Sequence, residues 1–383
     1  MPSSPKTIAI VAGEASGDMY GADITTILKQ RYPDTQFYGV GGQLMQTAGV
    51  DIEVDLARVG VMGFIEVLRH FGIIRRAFRG MQAQLRERRP DLLILIDYPG
   101  FNLRLARYAQ KLGIKVLYYI SPQIWAWKAK RIHTIKHCVD HMAVILPFEK
   151  AIYEQAGVPA SFVGHPLVER IKTRMSETQA RVAWNCRHDS ILIGLLPGSR
   201  LNEIQRLLPM MLETAEKLLR THPDCEFLLP LATTLLESEI TPFLAKHSLP
   251  IHIIHDATYD VMKHSRALMV ASGTATLEAC LLGTPMVITY KTSRLSYEII
   301  KRLIQIQHIG LCNILVGRTV VPELIQHEAT SDRLTHEMQR YLDDAEYYQN
   351  TKAELKKIGE SLHTAQSDIS MMDLIGQLGE FES

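Results

Sequence analysis

The sequence predicts an α/β protein of two similar-sized domains with a cleft between them. Three observations support this fold class. The chain has 383 residues, which exceeds an average domain of about 100–200 residues. Apolar, β-branched runs alternate with longer helical patterns, as in parallel sheets that are covered by helices on both faces. Between two such series, residues 169–189 are polar and charged and have the composition of a linker.

The first series of strands and helices runs from residue 1 to about 165. Its predicted strands are Thr7–Ala12, Gln36–Val40, Leu92–Ile96, Lys115–Ile120 and His141–Leu146. Its predicted helices are 18–31, 64–88, 102–112 and 148–156. Because each strand is followed by a helical pattern, the strands are expected to be parallel.

The second series runs from about residue 185 to 345. Its predicted strands are Ile191–Leu196, Glu226–Pro230, Ile251–His255, Ala267–Ala271 and Met286–Tyr290. Its predicted helices lie near 201–221, 233–247, 259–265 and 274–282, and the chain ends in a polar helical tail. We therefore expect domains at 1–168 and 185–345, followed by a tail, 346–383, that can cross back to the first domain.

The composition argues against several classes of protein. The 42 Lys and Arg residues against 41 Asp and Glu give a net charge of +1, so no nucleic-acid partner is expected. The five cysteines are odd in number and form no C-x-x-C pair, which argues against disulfides and a zinc cluster. No window approaches 18 apolar residues, so we expect no membrane-spanning helix.

Loops that follow strands are the candidate site, because ligands of open α/β sheets bind beyond the carboxyl ends of the strands. After the first strand, Glu14, Ser16 and Asp18 lie at a helix start that suits an anion or a hydroxyl group. Alternatively, Ser16 or Asp18 only caps that helix. Asp97 follows another buried strand; there it is either a general base with a raised pKa or a turn residue bound by backbone N–H groups.

Two loops of the second domain suggest a nucleotide. Ser199 and Arg200 precede a helix and could bind phosphate, although a solvated arginine is the alternative. Small residues open another helix: Ser272, Gly273 and Thr274. One turn later, Glu278 could accept hydrogen bonds from ribose hydroxyls, or it is a surface residue. Neither the G-x-G-x-x-G dinucleotide pattern nor a Walker loop is present.

The segment 63–79 combines apolar and basic residues. The residues that we expect to face a membrane are Phe64, Val67, Leu68, Phe71, Ile74, Arg75 and Arg76. A basic amphipathic helix of this kind is typical of membrane surfaces. The alternative from the residues alone is an ordinary helix that faces the core of the first domain.

Several motifs together resemble one known family. They are Val11–Asp18, Gly60–Gly63, Ile96–Asn102, Tyr119–Trp127, Leu146–Glu149, Phe162–His165, Leu195–Arg200, Ala271–Glu278 and Asn313–Leu315. In this order, over roughly residues 7 to 325, they resemble the lipid-A-disaccharide synthase family. The resemblance implies two Rossmann-like domains that face a cleft, the GT-B architecture of glycosyltransferases.

The resemblance also implies a reaction. UDP-2,3-diacylglucosamine donates its sugar to 2,3-diacylglucosamine 1-phosphate, and the products are a β-1,6-linked disaccharide 1-phosphate and UDP. The configuration at the anomeric carbon inverts, so a base must take the proton of the acceptor hydroxyl and positive charge must support the leaving diphosphate. No metal and no cofactor are expected.

The resemblance assigns roles to residues of both domains. Asp97 is the expected base, with Glu14 or Asp18 as alternatives, and Arg200 supports the leaving group. The expected UDP-binding residues are Ser199, Arg200, Ser272, Gly273, Thr274, Glu278 and Asn313. The acceptor side is expected to include Glu14, Ser16 and Asp18.

Both implied substrates carry acyl chains, so the inner-membrane surface is an expected partner. We expect a cytoplasmic protein that attaches peripherally to the cytoplasmic face of the bacterial inner membrane, and a homodimer is one assembly that this prediction allows. The alternative function is another UDP-sugar enzyme of the same architecture, either a soluble sugar transferase or a UDP-sugar 2-epimerase.

Overall fold

The computed structural model describes residues 6–56, 71–293, 297–298, 307–363 and 366–381. The chain folds as two compact units. The first unit holds the chain up to Pro166 and again from Leu362 onward, and the second unit holds Leu167–Ser361.

The first unit is built on a parallel sheet that has seven strands in the described chain, in the order β3-β2-β1-β4-β5-β6-β7. The strands are β1 (Thr7–Ala12), β2 (Gln36–Gly41), β3 (Asp51–Asp55), β4 (Leu92–Ile96), β5 (Lys115–Tyr119), β6 (His141–Val144) and β7 (Ala160–Phe162). The helices between them are α1 (Ala15–Arg31), α2 (Gln43–Thr47), α3 (Phe71–Arg88), α4 (Pro99–Lys111), α5 (Arg131–Cys138) and α6 (Pro147–Gln155).

The second unit has a parallel sheet with six described strands, in the order β10-β9-β8-β11-β12-β13. The strands are β8 (Ile191–Leu196), β9 (Cys225–Pro230), β10 (Ile251–Ile254), β11 (Ala267–Ala271), β12 (Met286–Tyr290) and β13 (Glu323–Ile325). The helices from the unit boundary onward are α7 (Pro166–Arg170), α8 (Glu177–Ala183), α9 (Leu201–Thr221), α10 (Glu237–Leu244), α11 (Thr258–His264), α12 (Thr274–Leu281), α13 (Leu311–Val316), α14 (Ser331–Asp343) and α15 (Ala345–Ser361). The tail ends in α16 (Met371–Gly379).

The central strands have both faces buried, which explains their continuous apolar sequences. In β4 all five residues are 0% exposed, because helices cover both faces of the sheet. In each sheet the strand order reverses beside the first strand of the unit: β1 lies between β2 and β4, and β8 lies between β9 and β11. Open α/β sheets bind ligands at such reversals. The loops after β1 and β4, and after β8 and β11, are therefore neighbours.

The sequence missed three strands, and all three lie at sheet edges. β3 and β7 end the first sheet, and β13 ends the second. β7 and β13 have three residues each, and no residue of β3 is fully buried. Edge strands are commonly short and partly solvated, so they lack the continuous apolar pattern of the central strands.

The expected linker, 169–189, contains an ordered helix of the second unit. Ser176 caps α8 through a hydrogen bond from the Gln179 backbone, and the Gln179 side chain bonds back to Ser176. Ala180 and Trp184 are buried in an apolar cluster of that unit. The polar composition of this segment therefore belongs to a solvated helix with one buried face. The second unit begins at Leu167 rather than near residue 185.

The second unit extends beyond residue 346, where the tail was predicted to begin, and ends at Ser361. Leu355 and Ile358 of α15 are buried in a core cluster of the second unit, so this helix belongs there. Leu374 and Ile375 of α16 are instead buried against the first sheet, and Asp368 accepts a hydrogen bond from the Phe162 backbone at 2.8 Å. The crossing point is therefore at Leu362. Within the described ranges, no helix combines the length and the apolar character that a membrane span requires.

Candidate active site

Asp97 lies on a strained corner at the end of β4. Asp97 and Tyr98 have φ angles of 46° and 45°, a left-handed conformation that costs non-glycine residues about 1–3 kcal/mol each. The surrounding structure holds this corner firmly. The Tyr118 hydroxyl and the Asn102 amide donate to the Asp97 carbonyl at 2.6 and 2.7 Å, and the Asp97 amide donates to the Tyr119 carbonyl at 3.0 Å. Strain of this kind is concentrated at functional sites.

The environment of Asp97 makes its carboxylate a stronger base. Burial, together with the nearby charge of Glu14, raises the pKa of Asp97 to about 6, although the Tyr98 backbone and Arg131 act in the opposite direction. Burial also raises the pKa of Glu14. A carboxylate with a pKa near 6 is ionised at neutral pH and accepts a proton more readily than an ordinary aspartate.

The loop after β1 packs against this corner. A Cβ atom added to Gly13 would lie 2.2 Å from the Tyr98 ring, so only glycine allows the two loops to approach so closely. Glu14 immediately precedes α1 and Ser16 is exposed in its first turn. Both expected acceptor-side residues therefore lie on the loop that contacts the Asp97 corner.

Asp18 has a structural role, which corrects its placement on the acceptor side. The residue is 4% exposed, and its carboxylate accepts hydrogen bonds from the backbone N–H groups of Gly42, Leu44 and Met45 at 2.7 to 3.1 Å. Asp18 therefore caps the start of α2. Both of its carboxylate oxygens are occupied, so it is also a poor alternative for the base.

The structure adds Glu149 to this region, although the sequence singled it out only as part of a matching motif. Glu149 lies in the first turn of α6 and is 2% exposed. Ser121 and Trp125, from the loop after β5, both donate to its carboxylate. A buried acid near the start of a helix has no clear signature in a single sequence.

In the second unit, the loops after β8 and β11 line one pocket of about 340 Å³. The pocket brings together most of the residues expected to bind UDP: Ser199, Arg200, Ser272, Gly273, Thr274 and Glu278. They meet because β8 and β11 are hydrogen-bonded neighbours, with Leu196 opposite Val270. The volume is within the usual range for small-molecule sites.

The first wall of this pocket is the turn before α9. Gly198 has a φ angle of 117°, and a Cβ atom there would lie 2.2 Å from the Glu203 carboxylate. Glu203 accepts hydrogen bonds from the Ser199 backbone at 3.0 Å and from Arg200 at 3.3 Å. The Arg200 side chain is 59% exposed, so its guanidinium group is accessible beside a helix N-terminus, a favourable place for phosphate.

The second wall is the start of α12. Gly273 precedes this helix with a φ angle of 156°, and no described atom lies within 4 Å of the point where a Cβ would stand, so a ligand can approach the backbone there. Glu278 is half-buried and accepts a hydrogen bond from the Tyr259 hydroxyl at 3.2 Å. Burial raises the pKa of Glu278, while this hydrogen bond lowers it. Tyr259 is a neighbour that the sequence did not indicate.

Asn313 lies outside the pocket, which corrects its assignment to the diphosphate or sugar. The residue is fully buried. Its amide group donates to the Val321 carbonyl and to Glu323, and its oxygen accepts from the backbones of Val320 and Val321. All of these partners belong to the segment around β13, so Asn313 organises the interior of the second unit.

The membrane-facing prediction is only partly covered by the described chain. Phe64, Val67 and Leu68 lie outside the described residues. Phe71, Arg75 and Arg76 are exposed on α3. Ile74 instead packs against the core of the first unit, because it shares the helix face of the buried Ala77. Ile73, which was not among the predicted residues, is 41% exposed.

One group of side chains in the second unit could hold a metal ion. Ligand atoms of Cys186, Glu226 and His252 lie within 4.8 Å of one another. Glu226 already binds Arg187 at 2.7 Å and His252 at 2.8 Å. Burial acts to raise the pKa of Glu226, but these hydrogen bonds outweigh it and lower the pKa to about 2. Its charge is therefore already compensated, and none of the three lines the pocket between the loops after β8 and β11.

Comparison with known families identifies the relatives of this chain. The family described as "Lipid-A-disaccharide synthetase" matches residues 8–373. A lipid-A-disaccharide synthase from Geobacter sulfurreducens is 49% identical over 357 residues, which are 93% of each chain. One from Trichlorobacter lovleyi is 48% identical over 371 residues, 97% of each chain. Relatives of this similarity share both fold and family.

Solved structures agree with the fold. A UDP-GlcNAc 2-epimerase from Neisseria meningitidis has a TM-score of 0.62 at 15% identity and covers 93% of this chain and 97% of its own. MurG from Acinetobacter baumannii has a TM-score of 0.59 at 13% identity and covers 97% and 100%. At these identities the likeness shows the GT-B architecture alone. Together with the family match over nearly the whole length, it establishes that the chain belongs to the lipid-A-disaccharide synthases, the hexosyltransferases that join two lipid A precursors into a disaccharide.

Proposed function

We propose that the donor is UDP-2,3-diacylglucosamine, that the acceptor is 2,3-diacylglucosamine 1-phosphate, and that the two units contribute different parts of the reaction. The second unit binds UDP, with the diphosphate at Arg200 and at the start of α12 and the ribose at Glu278. This assignment is supported by the pocket that these residues share. Helix N-termini and a forked cation are typical binding groups for phosphate.

The first unit supplies the base, and the half-buried Asp97 carboxylate, on a strained corner and with a pKa near 6, is the observation that carries this assignment. Asp97 takes the proton of the acceptor 6-hydroxyl as the oxygen attacks the anomeric carbon of the donor. The bond from that carbon to the diphosphate breaks, and its electron pair leaves with UDP. Arg200 stabilises the negative charge that develops there.

Asp97→Asn tests the base. The substitution should lower kcat by about 10²–10⁴, the range for a lost general base. UDP affinity should stay unchanged, because the UDP pocket lies in the second unit. The assay follows transfer from labelled UDP-2,3-diacylglucosamine to acceptor dispersed in detergent. Labelled UDP-GlcNAc, with and without acceptor, tests the rival sugar transferase and 2-epimerase functions.

The exposed Asp34 provides a matched control in the same unit, and Asp34→Asn should retain wild-type turnover. The wild-type rate should fall as the pH drops below about 6, because protonated Asp97 cannot accept the hydroxyl proton. Wild-type turnover in Asp97→Asn would exclude Asp97 as the base and make Glu14 the next candidate.

We further propose that the protein attaches peripherally to the cytoplasmic face of the inner membrane, because both substrates carry acyl chains. The exposed Phe71, Ile73, Arg75 and Arg76 of α3 support this placement, since aromatic and basic residues together favour anionic membrane surfaces. The expected homodimer stays a prediction.

A further inference from the structure

Glu149 is the buried acid of the first unit whose role the proposed chemistry leaves open. One of its oxygens, Oε1, accepts hydrogen bonds from the Ser121 hydroxyl at 2.6 Å and from the Trp125 indole N–H at 3.0 Å. The other oxygen, Oε2, is buried, and among the described residues it has no hydrogen-bond partner. A buried polar atom without a partner is destabilising, so the position calls for an explanation beyond packing.

The helix of Glu149 holds the loop after β5 at several points. Besides the two hydrogen bonds of Glu149, the Tyr153 hydroxyl donates to the Pro122 carbonyl at 3.3 Å. The rings of Phe148 and Trp125 meet edge to face, with centroids 5.2 Å apart. α6 therefore binds successive parts of this loop, and Glu149 binds both Ser121, near its start, and Trp125, near its middle.

This loop begins at a second strained position. Ile120 has a φ angle of 61°, which is rare for a β-branched residue. It lies between Tyr119, whose carbonyl accepts the hydrogen bond of the Asp97 amide, and Ser121, which donates to Glu149. Three consecutive residues thus connect the Asp97 backbone to the Glu149 carboxylate.

The charge of Asp97 also acts on Glu149. Burial, with a smaller contribution from the charge of Asp97, raises the pKa of Glu149 to about 7, although the hydrogen bonds from Ser121 and Trp125 act to lower it. Glu149 is therefore largely protonated at the pH where Asp97, with its pKa of about 6, titrates. The charged or titratable groups that act on Asp97 or face this cluster are Glu14 from the loop after β1, Tyr98 from its own loop, Tyr118 from β5, Arg131 from α5, and Glu149 and Tyr153 from α6.

We propose that Glu149 is a positioning residue for Asp97: it anchors the strained segment after β5 that holds the Asp97 backbone. Because this role acts through Asp97, it rests on the proposed function. Removing only the ability of Glu149 to ionise should leave Asp97 in place. Removing the hydrogen-bond acceptor should release the loop.

Two substitutions separate these effects. Glu149→Gln keeps an oxygen that accepts from Ser121 and Trp125 but cannot ionise. We expect turnover and the acid limb of the kcat/KM profile to stay close to those of the wild type, because Glu149 is already largely protonated at the pH where Asp97 titrates. Glu149→Ala removes the acceptor as well, and kcat should fall about tenfold or more, the scale of a misplaced catalytic group. If Glu149→Gln keeps the turnover that Glu149→Ala loses, the hydrogen-bond acceptor at this position, and hence the anchoring role, is responsible.

Glu154→Gln is the matched control, since Glu154 lies on the same helix but is exposed, and its pH profile should equal that of the wild type. Near-UV circular dichroism and UDP affinity show whether each variant keeps its fold. If Asp97→Asn lowers turnover as proposed, but Glu149→Ala keeps wild-type kcat, the inference is wrong while the proposed base stands. Wild-type turnover in Asp97→Asn overturns the proposed base itself.

Discussion

Glu278, one of two glutamates that line the pocket proposed to bind UDP, is half-buried and held by the Tyr259 hydroxyl. Glu278→Ala should weaken UDP binding by about 1–3 kcal/mol, the usual loss for a hydrogen bond to a charged group. That loss corresponds to a dissociation constant about five to 150 times higher, which calorimetry measures directly. Glu360→Ala, an exposed change in the same unit, should leave UDP binding unaltered. Unchanged affinity in Glu278→Ala would remove this residue from the site.

Asp18 and Asn313 show why a polar residue in a candidate motif is not automatically a ligand-binding residue. Both are buried, and each satisfies its polar atoms within its own unit: Asp18 with backbone groups, and Asn313 with backbone groups and the Glu323 carboxylate. Buried polar side chains are almost always paired in this way. Their positions in the chain matched a functional pattern, but their hydrogen-bond partners identify them as structural.

At the scale of single elements, α3 separates its core face from its solvent face. Ala77, Met81 and Leu85 are fully buried, at the spacing of one helix face. Phe71 and Ile73 remain 55% and 41% exposed. Arg75 and Arg76 are also exposed, away from the buried face. The start of this helix therefore presents apolar and basic groups together.

Phe71→Ser combined with Ile73→Ser tests whether the start of α3 contacts the membrane. If both side chains insert into the interface, their removal should cost about 2 kcal/mol of binding, given about 1.5–3 kcal/mol for fully burying one such side chain. The partition coefficient on phosphatidylglycerol-containing vesicles should then fall roughly thirtyfold.

In this vesicle experiment, Val182→Ser provides the matched control, because Val182 is a 77% exposed apolar residue of the second unit. Val182→Ser should bind vesicles like the wild type. The double variant should keep its fold, because neither Phe71 nor Ile73 is buried. Wild-type vesicle binding by the double variant would exclude these two side chains from the membrane contact.

At the scale of the whole molecule, the last residues of the chain complete the core of the first unit. Ile375 is fully buried beside β-strand residues of the first sheet. Ion pairs join Asp373 to Arg31 at 2.7 Å and Glu380 to Lys115 at 2.6 Å. The first unit therefore depends on residues that the chain supplies only after the second unit is complete.

Ile375→Ala should destabilise the first unit by about 2–5 kcal/mol, the range for truncating a buried isoleucine. Denaturant unfolding followed by far-UV circular dichroism measures the change. Lys115→Gln, which removes only an exposed ion pair of the tail, should change the unfolding midpoint little because solvent screens such pairs. Equal stability of Ile375→Ala and the wild type would mean that the tail does not contribute to this core.

The class of fold and most of the central strands follow from the local sequence. The strands Thr7–Ala12, Leu92–Ile96, Ile191–Leu196, Ala267–Ala271 and Met286–Tyr290 are confirmed with the predicted bounds. Their apolar side chains fill both faces of a sheet, so the burial that stabilises them is visible as a continuous local pattern. The helix starts that line the pocket of the second unit were visible for a similar reason, since small residues after a strand are a local signal.

Roles that depend on distant partners are visible only in the folded chain. Asp18 is bonded to a turn 24 residues away, Glu149 to a loop 28 residues earlier, and Phe162 to Asp368, 206 residues apart. Such contacts leave no periodic pattern in the chain, because the fold and not the local sequence sets which groups meet. The same reason separates Ile74, which faces the core, from Phe71, which faces solvent, although both are apolar residues of one helix.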